Sequence, residues 1–234
     1  ANPWFQFLIL LTAPLLTVID AFIVNVAIPT IEKGIGANHA EIQLVIASYL
    51  LGYASFQITG SRAGDHFGRK KVFFWSMLFF TFSSCLCGLS QTPSQLIAAR
   101  FFQGLSGAFM MPQTLSYLQV LFPETGERTK AIGYLGITLG TAAIIGQVAG
   151  GFLSGIHFVV DGWRFIFLIN LPVGMVALWA TKTYLEETYY SFACCWRIGA
   201  PGHVLRCLPH YFRTQCIAER AERCVSAYSV AVWF

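Results

Sequence analysis

Charge is what this sequence has least of. Asp, Glu, Lys and Arg make up 11% of the 234 residues, and the windows 72–93 and 131–160 contain none. That excludes an ordinary soluble domain, where about 25% of residues are charged. Paired cysteine spacing is also missing. Cys85 and Cys87 fall inside an apolar run, and the other five cysteines lie between Cys194 and Cys224 without the spacing of a zinc knuckle or ribbon, so neither a metal site nor a disulfide framework is expected. No basic patch alternates with aromatics, so the net charge of +4 speaks to orientation and lipid surfaces and not to nucleic acid. No His/Asp/Glu cluster stands at a membrane edge and no nucleophile has a base partner, which disfavours an enzyme, and no cofactor is expected. The first apolar run has neither an initiator Met nor a basic region before it, and it contains Asp20 and Asn25. It reads as a retained span and not a cleaved signal, with a few native N-terminal residues expected to be absent.

What the chain does have is apolar length. Hydrophobic residues make up 56% of it, and its mean hydropathy is +0.60. Uncharged windows of this size suit helices of about 20 residues across about 30 Å of hydrocarbon. Six spans are expected, at about 4–28, 42–60, 72–90, 95–120, 131–152 and 163–184. Their connections alternate in charge: Arg62, Arg69, Lys70, Lys71, Arg128, Lys130 and Lys182 fall on one side, and Lys33 and Arg164 on the other. The positive-inside rule then makes the N-terminus, the 61–71 loop and the 121–130 loop cytoplasmic. The fold class is an all-α polytopic membrane protein, an up-and-down bundle over residues 1–186. Residues 187–234 differ in kind, with five Cys, five Arg, no Lys and no helical or strand period. They read either as a non-native continuation, such as a frameshifted or prematurely ended reading, or as an irregular tail on the cytoplasmic surface.

Two charges lie inside spans. Asp20 at mid-membrane must be paired, protonated or lining a polar cavity, which makes it a candidate for proton-coupled or cation-coupled binding; the alternative is a hydrogen bond that sets packing. Arg100 stays charged and needs an anionic or carbonyl partner, for which Asp20 and cavity water are both options. The pair could report a proton to the helices or simply lock two of them together. In the 61–71 segment, Gly64 and Gly68 permit a tight turn while Asp65 can accept N–H groups at a helix start or pair with Arg69. A conformational latch and plain topological anchoring are compatible readings there. Gly133, Gly136, Gly140, Gly146, Gly150 and Gly151 recur near helical spacing in span five, as do Gly104, Gly107 and Ala108 in span four. Such faces allow close packing or bending, and Pro112 is expected to bend the later half of span four.

Five stretches together carry a resemblance. They are Ile19 to Pro29 around Asp20 and Asn25, Gly64 to Lys71, Arg100-Phe101-Phe102-Gln103-Gly104 with Gly107, Ala108 and Pro112, Gly146 to Gly151, and Gly162 to Gly174. This pattern resembles the N-terminal half of the major facilitator superfamily, in particular its fourteen-span drug/proton antiporters. The family's usual Thr stands here as Phe22, its opening loop Gly as Ser61, a Leu as Ala63, and a span-five Pro as Gln147. The resemblance covers about residues 4–185 and implies the six-helix N-terminal bundle of the major facilitator fold. It also implies proton-coupled export of lipophilic, often cationic compounds by alternating access.

By that resemblance, Asp20 and Arg100 handle the proton, and Asp65, Gly68 and Arg69 form the latch. Asn25, Gln103 and Gln147 belong to the substrate cavity, and Gly104, Pro112, Gly146, Gly150 and Gly151 are gating or kink positions. The implied partners are protons, a lipophilic small molecule, membrane lipids, and either a missing C-terminal half or a second copy of the chain. The expected place is the cell membrane, of bacterial inner-membrane type. A half-size transporter acting as a dimer and a non-transporting membrane scaffold are the alternative readings.

Overall fold

The computed structural model describes residues 2–154 and 162–186. The expected tail at 187–234, with its five cysteines, lies outside the described residues. Within them the regular elements are α-helices: α1 (Pro3–Leu10), α2 (Thr12–Ile35), α3 (His39–Phe67), α4 (Arg69–Leu89), α5 (Pro93–Leu121), α6 (Thr125–Ser154), α7 (Gly162–Leu168) and α8 (Asn170–Tyr184).

Each helix end has a local cause. Asn2 accepts the Trp4 N–H at 3.1 Å, and Pro3 occupies the first position, where no N–H is needed. Leu11 stays in the helical region at φ −66°, so α1 and α2 follow each other as a single apolar stretch, Pro3–Ile35. Pro14 cannot supply an N–H to the Leu10 carbonyl, and Thr114 Oγ1 of α5 donates to it at 3.3 Å instead. The missing backbone bond becomes a tie between helices. Gly36, in the left-handed region at φ 62°, closes α2. Its helix continues through Pro29 and extends seven residues beyond the expected end at 28. Asn38 and Glu41 form a reciprocal capping box at the start of α3, with bonds of 2.9 and 2.8 Å.

The basic segment 61–71 is not a loop. α3 runs to Phe67 and α4 starts at Arg69, so the reversal is made at Gly68 alone, whose φ of 96° and ψ of 131° a side chain would strain.

Among the described residues five stretches are long and apolar enough to cross a membrane: Pro3–Ile35, His39–Phe67, Arg69–Leu89, Thr125–Phe152 and Gly162–Tyr184. The expected fourth span, α5, has the length at 29 residues but falls short in apolarity. The physical reason is its position. Arg100, Gln103, Ser106, Gln113 and Thr114 of α5 are all buried, so the helix is solvated by its neighbours and has less need of an apolar surface.

The closest approach is between α3 and α5. A Cβ on Gly104 would strike the Tyr49 carbonyl, and Cβ atoms on Gly52 and Gly60 would lie 2.5 Å from the carbonyl oxygens of Phe101 and Ala108. Backbone meets backbone there because three side chains are absent. On α6, Gly146 and Gly150 meet the carbonyls of Ile19 and Ile23 in the same way, whereas Gly133, Gly136 and Gly140 have nothing within 4 Å. Among the described residues three apolar clusters fill the bundle, the smallest of Phe7, Leu118, Phe122, Ala131 and Leu135. Of the larger two, one gathers Ile23, Val24, Ile42, Ala99, Trp163 and Phe167, the other Leu16, Tyr49, Phe73, Phe80, Met110 and Tyr117.

Gly104→Val is expected to destabilise the chain by about 1–3 kcal/mol through overpacking at the α3–α5 crossing. Gly136→Ala should be neutral or stabilising by up to about 1 kcal/mol, because only helix propensity changes. Unfolding by dodecyl sulfate in detergent micelles, followed by circular dichroism, compares the two. Equal midpoints would count against the crossing.

Candidate functional site

Asp20 stands in the middle of α2 and is fully buried, and Arg100 of α5 is 1% exposed. The spacing of helices α2 and α5 brings Arg100 Nη1 to 2.5 Å from Asp20 Oδ2. Gln103, one helical turn on from Arg100, shares its face of α5. Its Nε2 donates to Asp20 Oδ1 at 3.0 Å, and its Oε1 accepts from Arg100 Nη1 at 2.8 Å. A third donor reaches the same oxygen as Gln103, Asn170 Nδ2 to Asp20 Oδ1 at 3.1 Å.

Asn170 owes its place to a break in the chain. α7 ends at Leu168 and α8 begins at Asn170, which sets the carboxamide at a helix start inside the bundle. Ser84 of α4 braces it, accepting from Asn170 Nδ2 at 3.2 Å and donating to the Phe167 carbonyl at 2.8 Å. Cys87 Sγ donates weakly to Gln103 Oε1 at 3.5 Å. The guanidinium of Arg100 lies 4.3 Å from the centre of the Tyr49 ring, a cation–π contact, while the Tyr49 hydroxyl donates to the Thr17 carbonyl at 3.0 Å. Arg100 Nε is buried without a hydrogen-bond partner.

Sequence reasoning had named Asp20, Arg100 and Gln103. The structure brings these three together and adds Asn170, Ser84, Cys87 and Tyr49. The available signal for Asn170 was its amide between apolar Ile169 and Leu171. Serine, cysteine and tyrosine within apolar helices carry no comparable mark.

The carboxylate thus accepts from three N–H donors on two helices other than its own, α5 and α8, inside an apolar surround. An ionised acid there is tolerable only with such partners. A proton added to Asp20 cancels its charge and turns one oxygen from acceptor to donor, at a place where donors already converge. The proton takes one of the carboxylate's lone-pair sites and removes the charge that holds Arg100, so the bond between them weakens. The cluster can therefore convert a change of protonation into a change of helix contacts.

A second charged group lies at the α3–α4 reversal. Arg69 Nη2 meets Asp65 Oδ1 at 3.1 Å across Gly68, and Arg69 Nη1 donates to the Ser116 carbonyl of α5 at 3.3 Å. Lys70 Nζ donates to the Lys182 carbonyl in the last turn of α8 at 3.2 Å. Gln113 Nε2 donates to the Gly60 carbonyl at 2.8 Å, and Gly64 leaves room for its amide. One end of the bundle is so tied across α3, α4, α5 and α8.

The remaining sequence-derived positions separate. Gln103 is buried in the acid cluster, whereas Asn25 and Gln147 are exposed on α2 and α6. Gly104 packs on Tyr49 and Gly146 and Gly150 on α2, while Gly151 is exposed with Val26 nearby. Pro112 is half-buried, and α5 continues through it to Leu121.

Comparison with known proteins adds the following. The sequence profile of the Major Facilitator Superfamily matches residues 10–191. The probable actinorhodin transporter of Streptomyces coelicolor is 35% identical over 187 residues, covering 80% of this chain and 32% of that protein. The puromycin resistance protein pur8 of Streptomyces alboniger is 34% identical over 204 residues, 87% of this chain and 39% of its own length. The multidrug resistance protein Stp of Mycobacterium tuberculosis is 37% identical over 171 residues, 73% of this chain and 31% of its own. The chain spans about a third of the length of these relatives. Among solved structures, a bacterial homologue of the human lysosomal transporter Spinster, inward-facing and unoccupied, superposes with a TM-score of 0.68 at 20% identity, over 81% of this chain and 45% of that one. The proton:xylose symporter XylE does so with 0.69 at 14% identity, over 78% and 44%.

Arg100→Gln is expected to destabilise by about 3–5 kcal/mol, because it strands the Asp20 charge. Adding Asp20→Asn should recover a large part of that loss. A double-mutant cycle on the micellar unfolding midpoint measures the coupling, and simple additivity would mean that the two side chains do not act as a pair.

Proposed function

The chain belongs to the Major Facilitator Superfamily and is a multi-pass membrane protein, and from that premise we propose that it is the proton-coupling bundle of an exporter of lipophilic small molecules or drugs, working by alternating access. The carrying observation is the Asp20–Arg100 pair, wholly buried and joined by Gln103 and Asn170. A scaffold would gain nothing by keeping an acid there that apolar side chains could replace. Export is supported by the relatives, whose names speak of transport of actinorhodin and of resistance to puromycin and to several drugs.

In this reading a proton arriving at Asp20 loosens its bonds to Arg100, Gln103 and Asn170, and α2, α5 and α8 change their mutual contacts. Asp65, Gly68 and Arg69 act as the latch that holds α3, α4 and α5 at one end until that happens. Asn25 and Gln147, exposed on α2 and α6, face the substrate path, and Gln103 joins the path to the proton site. Gly104, Gly146 and Gly150 let helices slide at close range, with Pro112 and Gly151 as points of bending. The N-terminus and the α3–α4 turn lie on the cytoplasmic side of a bacterial inner membrane, as the positive-inside rule assigns.

Alternating access needs a second bundle across the path, from the rest of a longer chain or from a second copy. α3 and α6 support this, as the least buried of the apolar stretches, with Gly133, Gly136 and Gly140 open on α6.

The test is efflux of a lipophilic cationic dye from proteoliposomes under an imposed pH gradient, with the facing bundle supplied. Asp20→Asn should abolish gradient-driven efflux and leave membrane insertion intact. Efflux at the unsubstituted rate would sink the proton-coupling role. Asp65→Asn should slow efflux while keeping its dependence on the gradient, since the latch is separate from the proton site; a slowed rate that no longer responds to the gradient would place Asp65 in the coupling path instead.

A further inference from the structure

One cavity takes no part in the proposed transport path. It lies where the end of α3 meets α4 and α5, has a volume of about 870 Å³, and is walled by Trp75, Phe79, Phe82, Phe102 and Phe109, with Lys71 at one end. We propose that this groove is a binding site for an anionic diacyl phospholipid, with an acyl chain along the trough and the phosphate at Lys71.

The groove is built by spacing. Trp75, Phe79, Phe82 and Leu86 recur at intervals of four, three and four on α4, and Phe102, Leu105 and Phe109 at three and four on α5, so each set forms one stripe. Trp75, Phe79, Phe82 and Phe102 each leave more than half of their surface open. Small residues, Ser76, Ser83 and Ser106, sit between the stripes and are buried. Two of these hydroxyls are occupied locally: Ser76 Oγ donates to the Val72 and Phe73 carbonyls at 2.7 and 3.0 Å, and Ser106 Oγ donates to the Phe102 carbonyl at 2.8 Å. The floor therefore offers room with few free polar groups, which suits a hydrocarbon chain and not a hydrogen-bonding ligand.

Length agrees. From Lys71 to Leu86 α4 rises about 22 Å at 1.5 Å per residue, longer than the roughly 15 Å of one leaflet's hydrocarbon. Charge chooses the headgroup. Lys71 is the charged residue among those that wall the groove, and the adjoining 61–71 segment carries Arg62, Arg69 and Lys70 against a single acid, Asp65. Asp65 is engaged by Arg69 and Lys70 by the Lys182 carbonyl, while Arg62 and Lys71 are exposed. A basic rim over an apolar trough between helices matches a phosphate above acyl chains. A lipophilic cation would be repelled at that rim, so the groove is distinct from the path proposed for the exported substrate. The inference requires that the chain sit in a bilayer and does not require that it transport.

Trp75 is a reporter within the groove. The full chain is reconstituted in phosphatidylcholine vesicles with rising fractions of phosphatidylglycerol brominated in its acyl chains, or of equally brominated phosphatidylcholine. Subtracting the fluorescence of a Trp75→Phe variant isolates the quenching of Trp75. Brominated phosphatidylglycerol should quench Trp75 at about five-fold lower mole fraction than brominated phosphatidylcholine. Lys71→Gln should erase that preference, and Lys33→Gln, near the other end of the bundle, should preserve it. Ser83→Phe fills the trough and should weaken quenching by both lipids, with circular dichroism confirming that each variant folds. Equal quenching by the two lipids in the unsubstituted chain, or a preference that survives Lys71→Gln, overturns the proposal.

Discussion

A carboxylate that cannot reach water has to be satisfied by the protein, and the Asp20 cluster is arranged around that need. Its two oxygens take Arg100 on one side and Gln103 and Asn170 on the other, and each donor comes with a structural demand. Arg100 must be a charged side chain in the interior of α5, which is why that helix is polar and central. Asn170 must stand at a helix start inside the bundle, which the α7–α8 break provides. Ser84 must hold the Asn170 amide and the Phe167 carbonyl, which ties α4 to the same point. Four helical segments are thereby constrained by a single buried acid.

Helix contact without a hydrophobic driving force between apolar surfaces has to come from close packing and from hydrogen bonds. The α3–α5 crossing uses the first, with Gly52, Gly60 and Gly104 removing the side chains that would hold the backbones apart. The Leu10 carbonyl shows the second. Pro14 leaves it without its helical partner and Thr114 supplies one from α5. Gln113 and Arg69 repeat the device with the carbonyls of Gly60 and Ser116. Polar residues on α5 therefore serve twice, as ligands of other helices' carbonyls and as the surround of the ion pair.

The fold class was legible in the sequence because spans of uncharged residues have few alternatives in lipid, and α5 stands apart from the other spans in being long without being strongly apolar. The segment 61–71 was misread as a loop. Its charges and glycines look like a connection, yet a reversal at one residue, Gly68, lets both helices run on through it. Asp20 and Arg100 were visible as the two charges inside apolar runs. Their mutual distance was not visible, since 80 residues separate them, and neither was Asn170, brought 150 residues along the chain to the same carboxylate.

Composition and local pattern by themselves determined that the chain is a helical membrane bundle, where its helices begin and end to within a turn or two, and which residues carry an ionic cost that calls for a partner. Those features follow from hydration, backbone hydrogen bonding and side-chain chemistry, which act within a few residues. Tertiary structure alone decided which partners meet. It set Gln103 in the acid cluster and Asn25 on the exposed face of α2, turned Gly146 toward α2 and Gly136 toward open space, and left an aromatic trough above Lys71. Rotation and approach of whole helices set these outcomes, and they depend on the packing of every other helix at once.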